Sequence, residues 1–152
     1  MCLSADKDNP LEGKFSIKFD SKGYAKCWKS YDNGKKSDWS PKRKPGLYPT
    51  VCNCAEPVSY GEIVSNREDN CAGRDCRDNF MIDTDLIEIN RGIHVFTRKK
   101  TAETHSGPHP NDRVVAVRCH ESDLVAVDAA YPNAVFMKVL LSKKEYDKAM
   151  KV

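Results

Sequence analysis

The sequence predicts an α+β fold, mostly antiparallel strands with a short C-terminal helix. Three observations carry that reading. Short segments rich in Val, Ile and aromatic residues recur between Gly, Asn and Asp clusters, the signature of strands joined by tight turns. The chemistry that starts a helix is most complete close to the end of the chain, at Ser142 and Glu145. The 152 residues, 39% hydrophobic and 31% charged, suffice for one modest core, so residues 1–152 are expected to fold as a single domain.

The elements follow in order. In residues 13–19, Phe15, Ile17 and Phe19 alternate with polar neighbours, the period of a half-buried strand. Asp20-Ser21-Lys22-Gly23 then supplies turn chemistry, and residues 24–31 form the second arm of a hairpin. Asp32-Asn33-Gly34 is another turn signal, because Asn-Gly tolerates the positive φ of tight hairpins. The N-terminal third is therefore expected to be a β-meander. Pro41, Pro45, Gly46 and Pro49 then make residues 37–49 a loop-like stretch in which no regular structure is expected.

Further strands are expected at 86–89 and 93–96, on either side of Asn90-Arg91-Gly92, and at 113–119, 124–128 and 134–141. Tyr131-Pro132-Asn133 turns the penultimate strand into the last. Ser142 followed by Glu145 is a capping box, and Leu141 can staple against Tyr146 across it, so a helix runs to about Lys151. Residues 97–105 are a second short helix, with Thr97 as its cap.

Two stretches of this half, GIHVFTRKKTAE and RVVAVRCHESDLVAVDAAYPNAVFMKVLLSKKEYDKAM, resemble a family of small early proteins from T4-like bacteriophages. The MCLS start is a weaker echo. The family has no assigned activity, so the resemblance supplies no site residues. It implies production in the cytoplasm of an infected bacterium and a role in adjusting host processes rather than in building the virion.

Charge and hydropathy exclude some classes. The net charge of +3 is too balanced to mark a nucleic-acid binder by its total. Its distribution is uneven: 11 Lys+Arg against 6 Asp+Glu in residues 1–50, 3 against 9 in 51–90, and 11 against 7 in 91–152. No apolar run approaches the ~18–20 residues that span a bilayer, and the best, 134–141, contains Lys138, so no membrane partner is expected. MCLSADKDNP lacks a basic segment followed by an apolar run, which predicts a cytoplasmic protein whose seven cysteines stay as thiols or metal ligands.

Four of those cysteines, Cys52, Cys54, Cys71 and Cys76, lie within one acidic segment. Tetrahedral zinc needs four soft ligands close together, and two pairs joined by a loop supply them, although one and four intervening residues depart from the usual spacing. A structural zinc is the cofactor this set would hold. Two other readings stand beside it: buried reduced thiols acting as small apolar side chains, and a thiol switch in which Arg74 and Arg77 favour the Cys76 thiolate.

Catalytic candidates are Cys2 and His94. Cys2 becomes an N-terminal nucleophile if the initiating Met is removed. His94, among apolar neighbours, is either a hydrogen-bonded histidine of the sheet or a general base for a cysteine such as Cys119 or Cys76. His105 and His109 fall in a Gly/Pro loop, and His120 adjoins Cys119 at a strand end.

Lys29, Lys35, Lys36, Lys42, Arg43 and Lys44 are interleaved with Trp28, Tyr31, Trp39 and Tyr48. Cations that displace phosphate counterions, beside rings that stack on bases, suit a single-stranded nucleic acid. The competing reading puts Trp28 in the core and uses the lysines to guard a strand edge. The acidic run Asp75, Asp78, Asp83, Asp85 and Glu88 is a solvated face or a dock for a basic protein.

No phosphate-cradling glycine loop, Gly-x-Ser-x-Gly, His-Glu-x-x-His or Cys-x-x-Cys set occurs. The expected function is a non-enzymatic module that binds a host or phage macromolecule, a protein first. A thiol-dependent hydrolase or transferase and a single-stranded nucleic-acid binder are the alternatives. The cysteine readings separate on metal content. If Cys52, Cys54, Cys71 and Cys76 share zinc, protein purified under reducing conditions carries it stoichiometrically, and Cys71→Ser loses both the metal and the order of that segment. Folded, metal-free protein indifferent to chelator leaves ordinary thiols.

Overall fold

The computed structural model describes residues 3–33, 46–49, 57–65, 86–89, 92–105 and 111–151. Its strands are β1 (Leu3–Asp6), β2 (Tyr24–Asp32), β3 (Tyr48–Pro49), β4 (Gly61–Val64), β5 (Leu86–Ile89), β6 (Ile93–Phe96), β7 (Asp112–His120), β8 (Leu124–Val127), β9 (Asn133–Phe136) and β10 (Lys138–Leu141). Helix α1 (Lys99–His105) follows β6, and α2 (Lys143–Met150) follows β10. One sheet runs β4-β10-β7-β2-β6-β9-β8, with β3 beside the end of β2, while β1 and β5 form a separate ribbon. The pairings are antiparallel, so the class is α+β with a short C-terminal helix.

The sheet is organised by β2 and β7, which pair without interruption from Tyr24↔His120 to Asp32↔Asp112. Side chains alternate across a strand, and paired residues share a face. Ala25, Cys27 and Tyr31 therefore point inward with Val115, Val117 and Cys119, joining Val95, Phe136, Val139 and Leu141 in the main core. Ala149, Tyr146 and Met150 of α2 pack against this inner face. On the outer face the ribbon presses Leu3, Ala5 and Ile89 onto Ala126 and Val135. Helix α1 lies over the Phe96 region, where His105 stacks on the Phe96 ring at 5.4 Å.

Several expectations are corrected. Residues 13–19 are not a strand: Gly13 adopts φ +89° and starts a 3-10 turn over Lys14–Ser16, closed by the Ser16 and Ile17 N–H groups on the Gly13 and Lys14 carbonyls. The apolar alternation is satisfied by a coil that buries Ile17 and half-buries Phe19. The turn after it forms as expected, with the Asp20 carboxylate accepting from the Lys22 and Tyr24 N–H groups. Its two arms do not pair beyond the Asp20 N–H on the Tyr24 carbonyl, because the chain before Asp20 is taken up by the 3-10 turn, so the N-terminal third is no meander.

Residues 134–141 are two strands, divided at Met137. The Met137 N–H donates to the Asp123 carbonyl at 2.8 Å and its carbonyl accepts from Ser65 at 2.7 Å, so β9 joins β6 and β8 while β10 joins β7 and β4. Helix α1 starts at Lys99, since the Thr97 N–H bonds the Pro132 carbonyl in the turn before it. Among the described residues no helix is long and apolar enough to cross a membrane.

The C-terminal helix has the expected start. Ser142 Oγ accepts from the Glu145 N–H at 3.2 Å, and Leu141 and Tyr146 pack into the same core. Ser142→Ala should lower stability by about 0.5–2 kcal/mol, because an N–H of the first turn loses its acceptor. A shift in the denaturation midpoint at constant m-value checks this.

Candidate functional site

The alternation that sends Ala25 and Cys27 inward sends Tyr24, Lys26 and Trp28 outward, onto the face that carries His120, Arg118 and Ala116 of β7. Neither the ribbon nor α1 covers the Tyr24 end: Lys26 and Arg118 are exposed, and Tyr24 and Trp28 are half-buried. The Arg118 guanidinium sits 4.4 Å from the Tyr24 ring centroid, and Lys26 Nζ lies 5.9 Å from that of Trp28. His120 meets Tyr24 edge-on at 4.8 Å. Trp28 is thus a surface ring, not a core residue, because its position in the two-residue period sets its side.

Asp20 borders this face. Its carboxyl is held below the usual carboxylate range, first by the Tyr24 N–H, then by the Lys22 N–H and the Arg118 charge. His120 is a structural element of the same corner. Its Nδ1 accepts from the Ser122 N–H at 3.1 Å, which leaves Nε2–H to donate to the Lys22 carbonyl at 3.0 Å. Gly23, at φ +86°, passes so close beneath the ring that a Cβ would lie 2.6 Å from Nε2.

A groove of about 760 Å³ adjoins Trp28. It exists because β6 stops at Phe96, the partner of Trp28, and turns away at Thr97 and Arg98. Lys18, Lys26, Arg98 and the 68%-exposed Tyr131 line it with Trp28. A second hollow of about 550 Å³ lies on the other side of Lys26, with Tyr24, Arg118 and Leu140 in its wall.

Most residues singled out by sequence lie outside the described residues: Cys2, Lys35, Lys36, Trp39, Lys42, Arg43, Lys44, Cys52, Cys54, Cys71 and Cys76. Of their described neighbours, Tyr31 and Tyr48 are core residues and Lys29 is buried, so these three do not contribute to a stacking surface. Among the described residues no group of three or more His, Cys, Asp or Glu is placed to hold a metal ion.

His94 and Cys119 face opposite sides of the sheet. His94 points to the ribbon, where its ring contacts the Ile89 carbonyl at 2.9 Å, while Cys119 points into the main core beside Cys27. The proposed base and thiol are therefore separated by the sheet itself. Hydrogen bonding with the Cys27 thiol, then burial, pushes the Cys119 thiol up, away from the reactive thiolate.

The chain matches no family model, no curated protein and no solved structure. The candidate face rests on its own geometry. Tyr24, Lys26 and Trp28 could have been grouped from the alternation in β2 alone, whereas Arg118 joins them only through the β2–β7 register.

The His94 environment makes a pH prediction. Burial, aided by the Lys29 charge and opposed by the Ile89 hydrogen bond, lowers its pKa from 6.5 to about 4. Between these values the unfolded chain binds a proton that the folded one does not. Stability contributed above pH 6.5 is therefore lost as pH falls toward 4, by up to about 3 kcal/mol. His94→Gln keeps a donor for the Ile89 carbonyl and should flatten this part of the stability–pH curve, measured by urea unfolding at steps of pH.

Proposed function

We propose that this chain is a non-enzymatic binding module whose open sheet face holds single-stranded nucleic acid, of host or phage origin. The observation that carries the reading is the alternation of half-buried rings and exposed cations on one sheet face: Tyr24 with Arg118, and Trp28 with Lys26. Cations there neutralise phosphates with release of counterions, and aromatic faces accept unpaired bases whatever their identity. Duplex DNA fits less well, since among the described residues no helix or ribbon projects from the Tyr24 end of this face to enter a groove.

The basic cluster at Lys35, Lys36, Trp39, Lys42, Arg43 and Lys44 lies outside the described residues, and the reading does not need it. A thiol-dependent hydrolase or transferase draws no support from the described residues, whose Cys27 and Cys119 are fully buried. The resemblance to early proteins of T4-like phages supports the setting, an infected cytoplasm, and adds nothing on the ligand.

Binding of a fluorescent oligothymidylate, followed by polarisation, tests the reading. Affinity should fall steeply with salt, and Arg118→Glu should weaken binding to all sequences alike while reducing the slope of log K against log salt by about 0.7 per lost phosphate contact. Salt-independent binding, or an unchanged affinity in Arg118→Glu, overturns it. Retention of an acidic protein but no oligonucleotide would instead assign the face to a protein partner.

A further inference from the structure

We propose that the groove beside Trp28 is a site for one nucleotide unit, its base against the indole and its phosphate among Lys18, Lys26 and Arg98. This deepens the reading above by giving the sheet face one defined subsite, and it can hold on its own. The volume of about 760 Å³ falls in the ~300–1,000 Å³ range of small-ligand sites.

Charge selects the ligand. Three cations line the groove, and neither the Lys18 ammonium nor the Arg98 guanidinium has an ion-pair or hydrogen-bond partner among the described residues. The only acid in the described lining, Asp128, is already committed: Oδ1 accepts from the Ala130 and Tyr131 N–H groups at 2.8 and 2.9 Å, and Oδ2 from the Ser4 N–H at 3.3 Å. With three cations against one carboxylate, whose oxygens are occupied by backbone donors, the described lining carries a net positive charge that favours an anion.

Two further features call for a base as well as a phosphate. Trp28 and Tyr131 offer aromatic surface in the same lining. The strand edge supplies hydrogen bonds. The Gly23 carbonyl accepts from Glu121 on the β7 side of β2, and the Tyr24 carbonyl accepts from Asp20 on the other side. Backbone groups alternate edges with period two, so the N–H and C=O of Lys26 face the side where β6 has ended. They have no hydrogen-bond partner among the described residues. An adjacent donor and acceptor beside an indole match the edge of a nucleobase, which carries both.

Fluorescence of Trp28 in the full chain carrying Trp39→Phe tests the site, with adenosine 5′-monophosphate, adenosine and inorganic phosphate as probes. The monophosphate should quench saturably, adenosine should bind at least about tenfold more weakly, and Arg98→Gln should cost the monophosphate about tenfold or more, the worth of a charge-assisted contact. Circular dichroism of Arg98→Gln verifies that this exposed substitution leaves the fold intact. Equal binding of adenosine and its monophosphate, or unchanged affinity in folded Arg98→Gln, overturns the site. Oligothymidylate binding without monophosphate binding overturns the site and keeps the proposed function. Monophosphate binding without oligothymidylate binding does the reverse.

Discussion

The nine-residue ladder between β2 and β7 is the constraint on which the rest of the molecule depends. A slip of one residue would turn Cys27 and Tyr31 to solvent and drive Lys26 and Arg118 into the core, so burial of one face fixes the register. Both ends are pinned. At one, Glu121 bonds the Gly23 carbonyl and the His120 ring bonds that of Lys22; at the other, the Asn33 N–H bonds the Asn111 carbonyl. The paired segments are far apart in sequence, and closing so long a loop costs entropy that grows slowly with length. The ladder repays it with side chains buried along its inner face.

Lys29 shows how the fold manages a defect in that sheet. By register it belongs with Ala25, Cys27 and Tyr31 on the inner face, and it is only 8% exposed. Strand β6 touches β2 through the single pair Trp28↔Phe96, so β6 lacks a continuous ladder there. The Lys29 ammonium donates to the His94 carbonyl at 2.9 Å and lies 5.8 Å from the Tyr31 ring. An unpaired buried carbonyl and an unpaired buried ammonium would each be costly; joined, they offset one another. Lys29→Met would fill the same volume while leaving the carbonyl without this donor.

How much of this was legible follows from how local each signal is. The C-terminal helix was readable because a capping box and a staple involve residues within five positions of each other. The turns at Asp20 and Tyr131 were readable for the same reason. The segment at 13–19 misled because its two-residue apolar period is also met by a coil that buries Ile17, and the period alone does not distinguish the two. Division of 134–141 at Met137 depends on Asp123 and Ser65, both distant in sequence. Similarly, half of the candidate face lay in β2 itself, and Arg118 came from a register that no pattern of short range encodes.

The groove originates in the early end of β6. Once the Thr97 N–H is bound to the Pro132 carbonyl, the chain turns into α1 and cannot continue along β2, which leaves the edge at Lys26 open. An open edge invites pairing with another chain, and Lys18, Lys26 and Arg98 are what a protein places there to prevent it. That protective role accounts for the charge alone. It does not account for Trp28, since an aromatic ring beside an open edge makes unwanted association easier. Keeping a half-buried indole among cations that have no ion-pair partner among the described residues is the opposite of edge protection, and it is the arrangement that a flat, anionic ligand would require.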